Sequence, residues 1–311
     1  MAFERIPSGY PGVDEVFDYI RMGDNVVWQV SGLDEYRLFA EAFARQAMKD
    51  GRNLIYMHYT RHESMFSPGP GLKVFEFDPM QGFEPFTVDI YNRITEEGEG
   101  AFYIFDCLSE LQVAWHTDQM MGNFFRVTCP YLYELNTVAY FPVIRGRHSF
   151  ETMASIRDTT QVLIDVYTSD SAVYIHTLKA MDRESVNIYL PHVSRSGGPF
   201  KPLDGGVALS RYYKLLDDIS AHTQDQNLDS HDRFFALAKL EFGRGKFRDE
   251  TERKILESMM SKDPHVQKLI HQLFEPKDYF SLRDRMIGSG AIGGKACGML
   301  LARKIAEVCL P

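Results

Sequence analysis

Three stretches of this 311-residue chain hold residues whose types and spacing bear on phosphate chemistry. The first is Ser31-Gly32-Leu33-Asp34-Glu35-Tyr36-Arg37, set between the apolar run Val26-Val27-Trp28-Gln29-Val30 and a helical pattern that runs to Asp50-Gly51. A strand that feeds a helix through a short loop gathers backbone N–H groups, and phosphate-binding loops of this kind are rich in glycine and carry a lysine. Here there is one glycine, no lysine and two carboxylates, Asp34 and Glu35, whose charge repels phosphate. Arg37 is the sole cation, and one turn into a helix it is expected on the solvated face. The second stretch ends the apolar run Phe102-Tyr103-Ile104-Phe105 with Asp106. The third is Gly293-Gly294-Lys295, which opens a helix carrying Met299-Leu300-Leu301-Ala302.

Other groupings read as framework. His58 and His62, with Glu63, have a spacing that aligns zinc ligands on a helix but not at a strand end, so no metal site is expected. Arg145, Arg147 and His148 follow a strand at the edge where open α/β sheets bind ligands. With Arg157, Lys179 and Arg183 they make a candidate anion pocket, weighed against an ordinary solvated rim. Phe124, Phe125, Tyr131, Tyr133, Tyr140 and Phe141 fit a core or a subunit contact better than a platform for bases. Gly288-Ser289-Gly290-Ala291-Ile292-Gly293 spells G-x-G-x-x-G, but no strand precedes it and no βαβ unit follows, so a dinucleotide site is excluded. No Ser-His-Asp order is recognisable. The four cysteines, Cys107, Cys129, Cys297 and Cys309, form no C-x-x-C pair. They imply neither a zinc knuckle nor a disulfide framework, and a cytoplasmic setting is expected. A formal charge of -9 argues against a nucleic-acid partner. No apolar run approaches the roughly 18 residues of a membrane span.

The elements that must position these residues alternate. A short helix is expected over 13–20. Strands are expected at 26–30, 53–59, 73–77, 101–106, 137–144 and 161–167, with helices at 34–49, 83–95, 117–135 and 149–157 between them. This alternation predicts an α/β domain with a mostly parallel sheet covered by helices on both faces. An antiparallel pair, 172–179 with 185–190, is expected to end the sheet, and 194–206 reads as a loop. Helices follow at about 207–221, 231–242, 248–261, 264–274 and 294–308, with Ser230 and Asp249 as N-caps and Pro264 at a first helical position. The domains expected are 1–205, α/β, and 206–311, a helical connector.

With that order drawn, the first 190 or so residues resemble the RecA/KaiC-type ATPase core. Pro7-Ser8-Gly9-Tyr10-Pro11-Gly12-Val13-Asp14-Glu15 is similar to the family's lead-in, and Phe102 to Leu111 is similar to its Walker B strand, with Asp106 at the Walker B position. The resemblance implies a RecA-like fold. The Walker A position holds Ser31, Gly32, Asp34, Glu35 and Arg37, which lack the glycine N–H cradle and lysine that hold ATP phosphates. The catalytic carboxylates that the family carries at the end of its second strand are replaced by Tyr59-Thr60-Arg61-His62-Glu63, where only a displaced Glu63 remains. The domain is therefore expected not to hydrolyse ATP.

The end of the chain resembles a different family. Ile292-Gly293-Gly294-Lys295-Ala296, followed by an apolar helix, is similar to the opening of the ATP-grasp-like nucleotide-binding domain of phosphoenolpyruvate synthases and pyruvate phosphate dikinases. There the lysine contacts ATP phosphates. The likeness covers about 25 residues, with Cys297-Gly298 in place of the usual small pair.

Together the two resemblances imply a non-catalytic RecA/KaiC-like scaffold or sensory domain associated with such a phosphotransferase. It would meet a protein partner or a downstream ATP-grasp domain, with self-association as a further expectation. The alternative is a nucleotide-binding fragment or subunit of the phosphotransferase, with Gly293, Gly294 and Lys295 in an ATP–magnesium site completed by further sequence.

Overall fold

The computed structural model describes residues 4–10, 12–59, 62–115, 118–169, 172–183, 185–221, 230–287 and 290–309. The sequence readings at Pro11, Thr60, Arg61, Glu184, Gly288 and Ser289 lie outside these residues. The chain divides into two compact units, Met1–Ala114 with Gln119–Gln226 and Trp115–Asp118 with Asn227–Pro311. Among the described residues no helix is long and apolar enough to cross a membrane.

The first unit opens with a small antiparallel ribbon, β1 (Arg5–Ile6) and β2 (Ile20–Arg21), around helix α1 (Val13–Phe17). Strand β3 (Asn25–Val30), helix α2 (Leu33–Lys49) and strand β4 (Leu54–His58) follow, then β5 (Leu72–Glu76), α3 (Phe83–Glu97) and β6 (Phe102–Asp106). After β6 come α4 (Leu108–Trp115), α5 (Gln119–Glu134), β7 (Val138–Ile144), α6 (Phe150–Thr159) and β8 (Val162–Ser169). Strands β9 (Ala172–Ala180), β10 (His192–Arg195) and β11 (Lys201–Pro202) and helix α7 (Gly206–Ala221) complete the unit.

These strands make one nine-stranded sheet in the order β11-β10-β9-β8-β3-β7-β6-β4-β5. Its six strands from β8 to β5 are parallel, and β9, β10 and β11 add antiparallel pairs at one side. The chain's first long strand, β3, thus lies between two of its latest parallel strands, β7 and β8. The order reverses there, which makes the carboxyl end of β3 a topological switch point.

The sequence explains the layering. Strands β4, β6 and β7 are buried at every position, as unbroken apolar runs must be when helices cover both faces. Successive β7 side chains serve opposite layers. Tyr140 stacks on Phe43 of α2, with centroids 4.1 Å apart, whereas Phe141 meets Phe125 of α5 at 5.2 Å. On the α2 side, Trp28 of β3 stacks on Phe39 at 4.1 Å. Each such fully buried ring contributes roughly 1.5–3 kcal/mol of hydrophobic stabilisation.

In this unit the structure adds one helix and corrects two expectations. The helix read over 117–135 is preceded by a separate helix, α4, because Leu108 and Leu111 already turn inward three residues apart. Residues 185–190 form turns instead of a strand, and Val186 is fully solvated. On its other side from β8, β9 pairs with β10, which starts two residues ahead of the stretch read as a loop and bonds residues 172–175 just before the β10–β11 hairpin. Helix α7 packs Tyr212 against Tyr167, Val193 and Leu203.

In the second unit, α8 (Ser230–Gly243), α9 (Asp249–Ile255), α10 (Pro264–Leu273), α11 (Pro276–Arg283) and α12 (Gly294–Cys309) surround Ile255, Met259, Ile270, Tyr279 and Phe280. Helix α9 continues into a wider turn over Leu256–Met260. Asp263 caps α10 through the amides of His265 and Val266. Asp249 is inside its helix, one residue after an uncapped Arg248, and Ser230 is likewise the first helical residue of α8. Helix α11 was not foreseen, and it starts at Pro276 through a capping box of Glu275 and Asp278.

The lead-in segment is held against α2 by backbone geometry. Gly9 has φ of +75°, and a Cβ there would lie 2.2 Å from the carbonyl oxygen of Ala42. Gly9→Ala is therefore expected to lower unfolding stability by about 2 kcal/mol or more. A denaturant midpoint shifted down at unchanged m-value checks this.

Candidate functional site

The candidate site is the carboxyl edge of the parallel strands, where β3 hands over to α2. Gly32 is the N-cap of α2 in an ordinary extended conformation and has no side chain with which to cap. Glu35, at the third helical position, supplies the acceptor instead. Its Oε2 receives the Ser31 amide at 2.6 Å, and its Oε1 receives the Thr168 hydroxyl from the end of β8 at 2.6 Å. The Thr168 contact is in the range of a charge-assisted O–H hydrogen bond, and the Ser31 contact is short for an N–H donor. Glu35 is buried, while Asp34 and Arg37, its neighbours on the first turn, are exposed. One of the two carboxylates expected at the phosphate position thus sits there, bonded to the loop, and the other faces solvent.

Arg145, just past β7, walls this junction. Its Nη1 donates to Ser31 Oγ at 2.9 Å, and its Nη2 reaches Asp165 Oδ1 at 3.1 Å and the carbonyls of Gln29 and Val166. The guanidinium lies over the Tyr167 ring, 4.0 Å from its centroid, and the Tyr167 hydroxyl donates to Asp165 Oδ2 at 3.1 Å. Burial, reinforced by Asp165, pushes the Tyr167 phenol well above its usual range. The arginine is hydrogen-bonded to the loop, and its position at a strand end was the signal that singled it out. Thr168 carried no such signal, being one hydroxyl among many.

The other members of the candidate anion pocket do not join Arg145. Arg147 pairs with Glu110 at 2.9 Å. Lys179 caps the carbonyls at the end of α6, and Arg183 pairs with Asp24. The reason is polarity: β9 runs antiparallel, pairing Ala180 with Val162, so the end of β9 lies where β8 begins, at the opposite edge of the sheet. Arg157 is exposed on α6.

Asp106, at the end of β6, is wholly buried. The Tyr56 hydroxyl donates to its Oδ2, and His62 Nε2 lies 3.0 Å from the same oxygen, an ion-pair contact off hydrogen-bond alignment. Tyr56 in turn accepts the Met65 amide at 3.1 Å, and His58 Nε2 pairs with the His62 carbonyl at 3.0 Å. The Asp106 contact holds the His62 imidazolium above the usual histidine range, against the opposing effect of burial. Glu63 is exposed. Among the described residues no group of three His, Cys, Asp or Glu side chains is placed to hold a metal ion.

Ser109 and His148 come together unforeseen, Oγ to Nε2 at 2.7 Å. Both are buried, and Ser109 Oγ also accepts the Ile144 amide at 2.9 Å. This pair joins α4 to β7 and presents no accessible nucleophile.

In the second unit, Gly293, Gly294 and Lys295 are exposed at the start of α12. The segment before the helix is tied down by the Ile292 amide, which donates to the Met259 carbonyl at 2.7 Å.

No protein-family model matches the chain, and no curated protein is similar to it in sequence.

The His62–Asp106 contact makes folding pH-dependent. A histidine whose folded pKa is raised adds stability that is fully present below its unfolded pKa of about 6.5 and is lost as pH rises through the higher folded value. His62→Gln is expected to remove that component. Wild-type and variant stability curves, measured by denaturant from pH 5.5 to 8.5, should therefore converge as pH rises.

Proposed function

We propose that the sheet-bearing unit is a non-catalytic RecA/KaiC-like scaffold or sensory domain associated with a phosphotransferase of the phosphoenolpyruvate synthase or pyruvate phosphate dikinase kind. One observation carries this reading. At the switch point of the sheet, where an open α/β fold binds its ligand, the loop amide is bonded to the chain's own Glu35. A phosphate cradle needs free N–H groups and an uncompensated cation. Here the amide is taken, lysine is absent, and Arg145 is committed to Asp165. Asp106 supports the same reading, since its Oδ2 is engaged by Tyr56 and His62. The domain then acts by protein contact, with a downstream ATP-grasp domain or with a second copy.

A second reading, a nucleotide-binding fragment or subunit of the phosphotransferase, is favoured by one feature. Gly293 and Gly294 have open space around them, with no heavy atom within 4 Å of a built Cβ, and Lys295 beside them is exposed.

Titration with ATP and magnesium separates the two. A ligand at 100 times its Kd stabilises a protein by about 2.7 kcal/mol, a shift of several degrees in Tm. No shift and no phosphate release are expected for the wild type. A shift abolished by Arg37→Ala sinks the scaffold reading, whereas one abolished by Lys295→Ala moves the site to α12.

A further inference from the structure

Helix α5 turns Phe124, Phe125 and Leu132 inward. Its opposite stripe, Arg126, Val127, Pro130, Tyr133 and Glu134, is exposed and recurs at the three- and four-residue spacing of one helix face. Helix α3 widens this surface. It runs beside α5 in the same direction, since Phe86 meets Phe124 at its start and Tyr91 stacks on Tyr131 further along, with centroids 4.3 Å apart. Val88 is 55% exposed, Tyr91 45% and Val127 51%. One such side chain on a surface is ordinary, but three on adjacent helices, with the ring stack among them, make a contiguous apolar patch.

The charges on α5 indicate what covers the patch. Among the described residues Arg126 and Glu134 have no ion-pair partner, whereas charged groups on α3 are engaged: Arg93 pairs with Glu96 at 2.6 Å, and Asp89 accepts from the Gln81 amide at 2.8 Å. Glu134 is the last residue of α5, where the helix dipole disfavours a carboxylate, so nothing within the helix accounts for it. Arg126 and Glu134 stand to either side of Pro130, about 12 Å apart along the helix and too far to pair with each other. A half-turn about an axis through Pro130, perpendicular to α5 and in the plane of the patch, sets the helix antiparallel to its own copy. Each Arg126 then meets the Glu134 of the other copy, and the apolar side chains meet between the two charge pairs. The face is complementary to itself in charge as well as in polarity.

We propose that the outer face of α3 and α5 is the interface of a two-fold homodimer, with Arg126 of each copy paired to Glu134 of the other and Val88, Tyr91 and Val127 buried between them. The face belongs to a helical layer and not to the carboxyl edge of the sheet. The inference therefore names a surface for self-contact in the proposed scaffold and holds equally for a unit that binds nucleotide.

The test is sedimentation equilibrium of the full chain. The wild type should dimerise reversibly with a Kd in the micromolar range, as fits a patch of this modest size. Arg126→Glu and Glu134→Arg each set like charges at both pairs and should weaken the dimer at least about tenfold. Val127→Asp should weaken it through the apolar part. The double variant Arg126→Glu/Glu134→Arg should restore association. An equimolar mixture of the two single variants should do so too, because both cross-pairs in the mixed dimer are again opposite in sign. All three positions are exposed, and an unchanged circular dichroism spectrum verifies that each variant folds. A wild type that stays monomeric at roughly 100 μM overturns the inference. A dimer that the single variants leave intact overturns it as well, as does one that neither the double variant nor the mixture restores. An ATP response of the wild type counts against the proposed scaffold function alone.

Discussion

A parallel sheet covered on both faces sends the N-termini of its helices to one edge, and with them a set of backbone donors that must find acceptors. In this chain the acceptors and counter-charges at that edge are internal. Glu35 answers the amide of Ser31 and the hydroxyl of Thr168, and Asp165 answers Arg145. Tyr56 and His62 answer Asp106. Remove any one, and a buried donor or charge is left unpaired at a cost of about 1–3 kcal/mol, more for the charged groups. The polar edge therefore helps to fix the strand ends in place as well as terminating them.

The two helical layers depend on that placement. Strand β7 has to deliver Tyr140 to α2 and Phe141 to α5, and a shift of one residue in its register would exchange them. Arg145 follows immediately after β7, with its amide bonded to Val30 at 2.7 Å, and its side chain spans to β3 and β8. The same few residues thus hold both the alignment of the central strands and the loop between β3 and α2.

The parallel core was legible in the sequence because its strands are buried on both sides and read as continuous apolar runs, as in Phe102–Asp106 and Val138–Ile144. The antiparallel margin was less so. Val186 and Tyr189 imitate a strand but are exposed, while the true partner, His192–Arg195, is only four residues long and mixed in polarity. The strand ends and the helix start that carry Ser31, Gly32, Glu35 and Asp106 were legible because such junctions have local signatures. Thr168 and Tyr56 were missed because their roles are set by strand order, and order is a long-range property that no local pattern encodes. The anion pocket dissolved for the same reason, since the direction of β9 decides to which edge Lys179 and Arg183 belong.

The lead-in carries a further consequence, for the order in which the unit assembles. Tyr10 lies between Phe39 and Phe200, with ring centroids 5.2 and 5.4 Å away, and Gly12 leaves no room for a side chain against the backbone of Phe200. Residues about 190 positions apart thereby meet on α2, and the entropy of closing so long a loop is recovered only after the strands between them have been laid down. The Tyr10–Phe200 clasp is therefore expected to close late, as a latch on a sheet already formed.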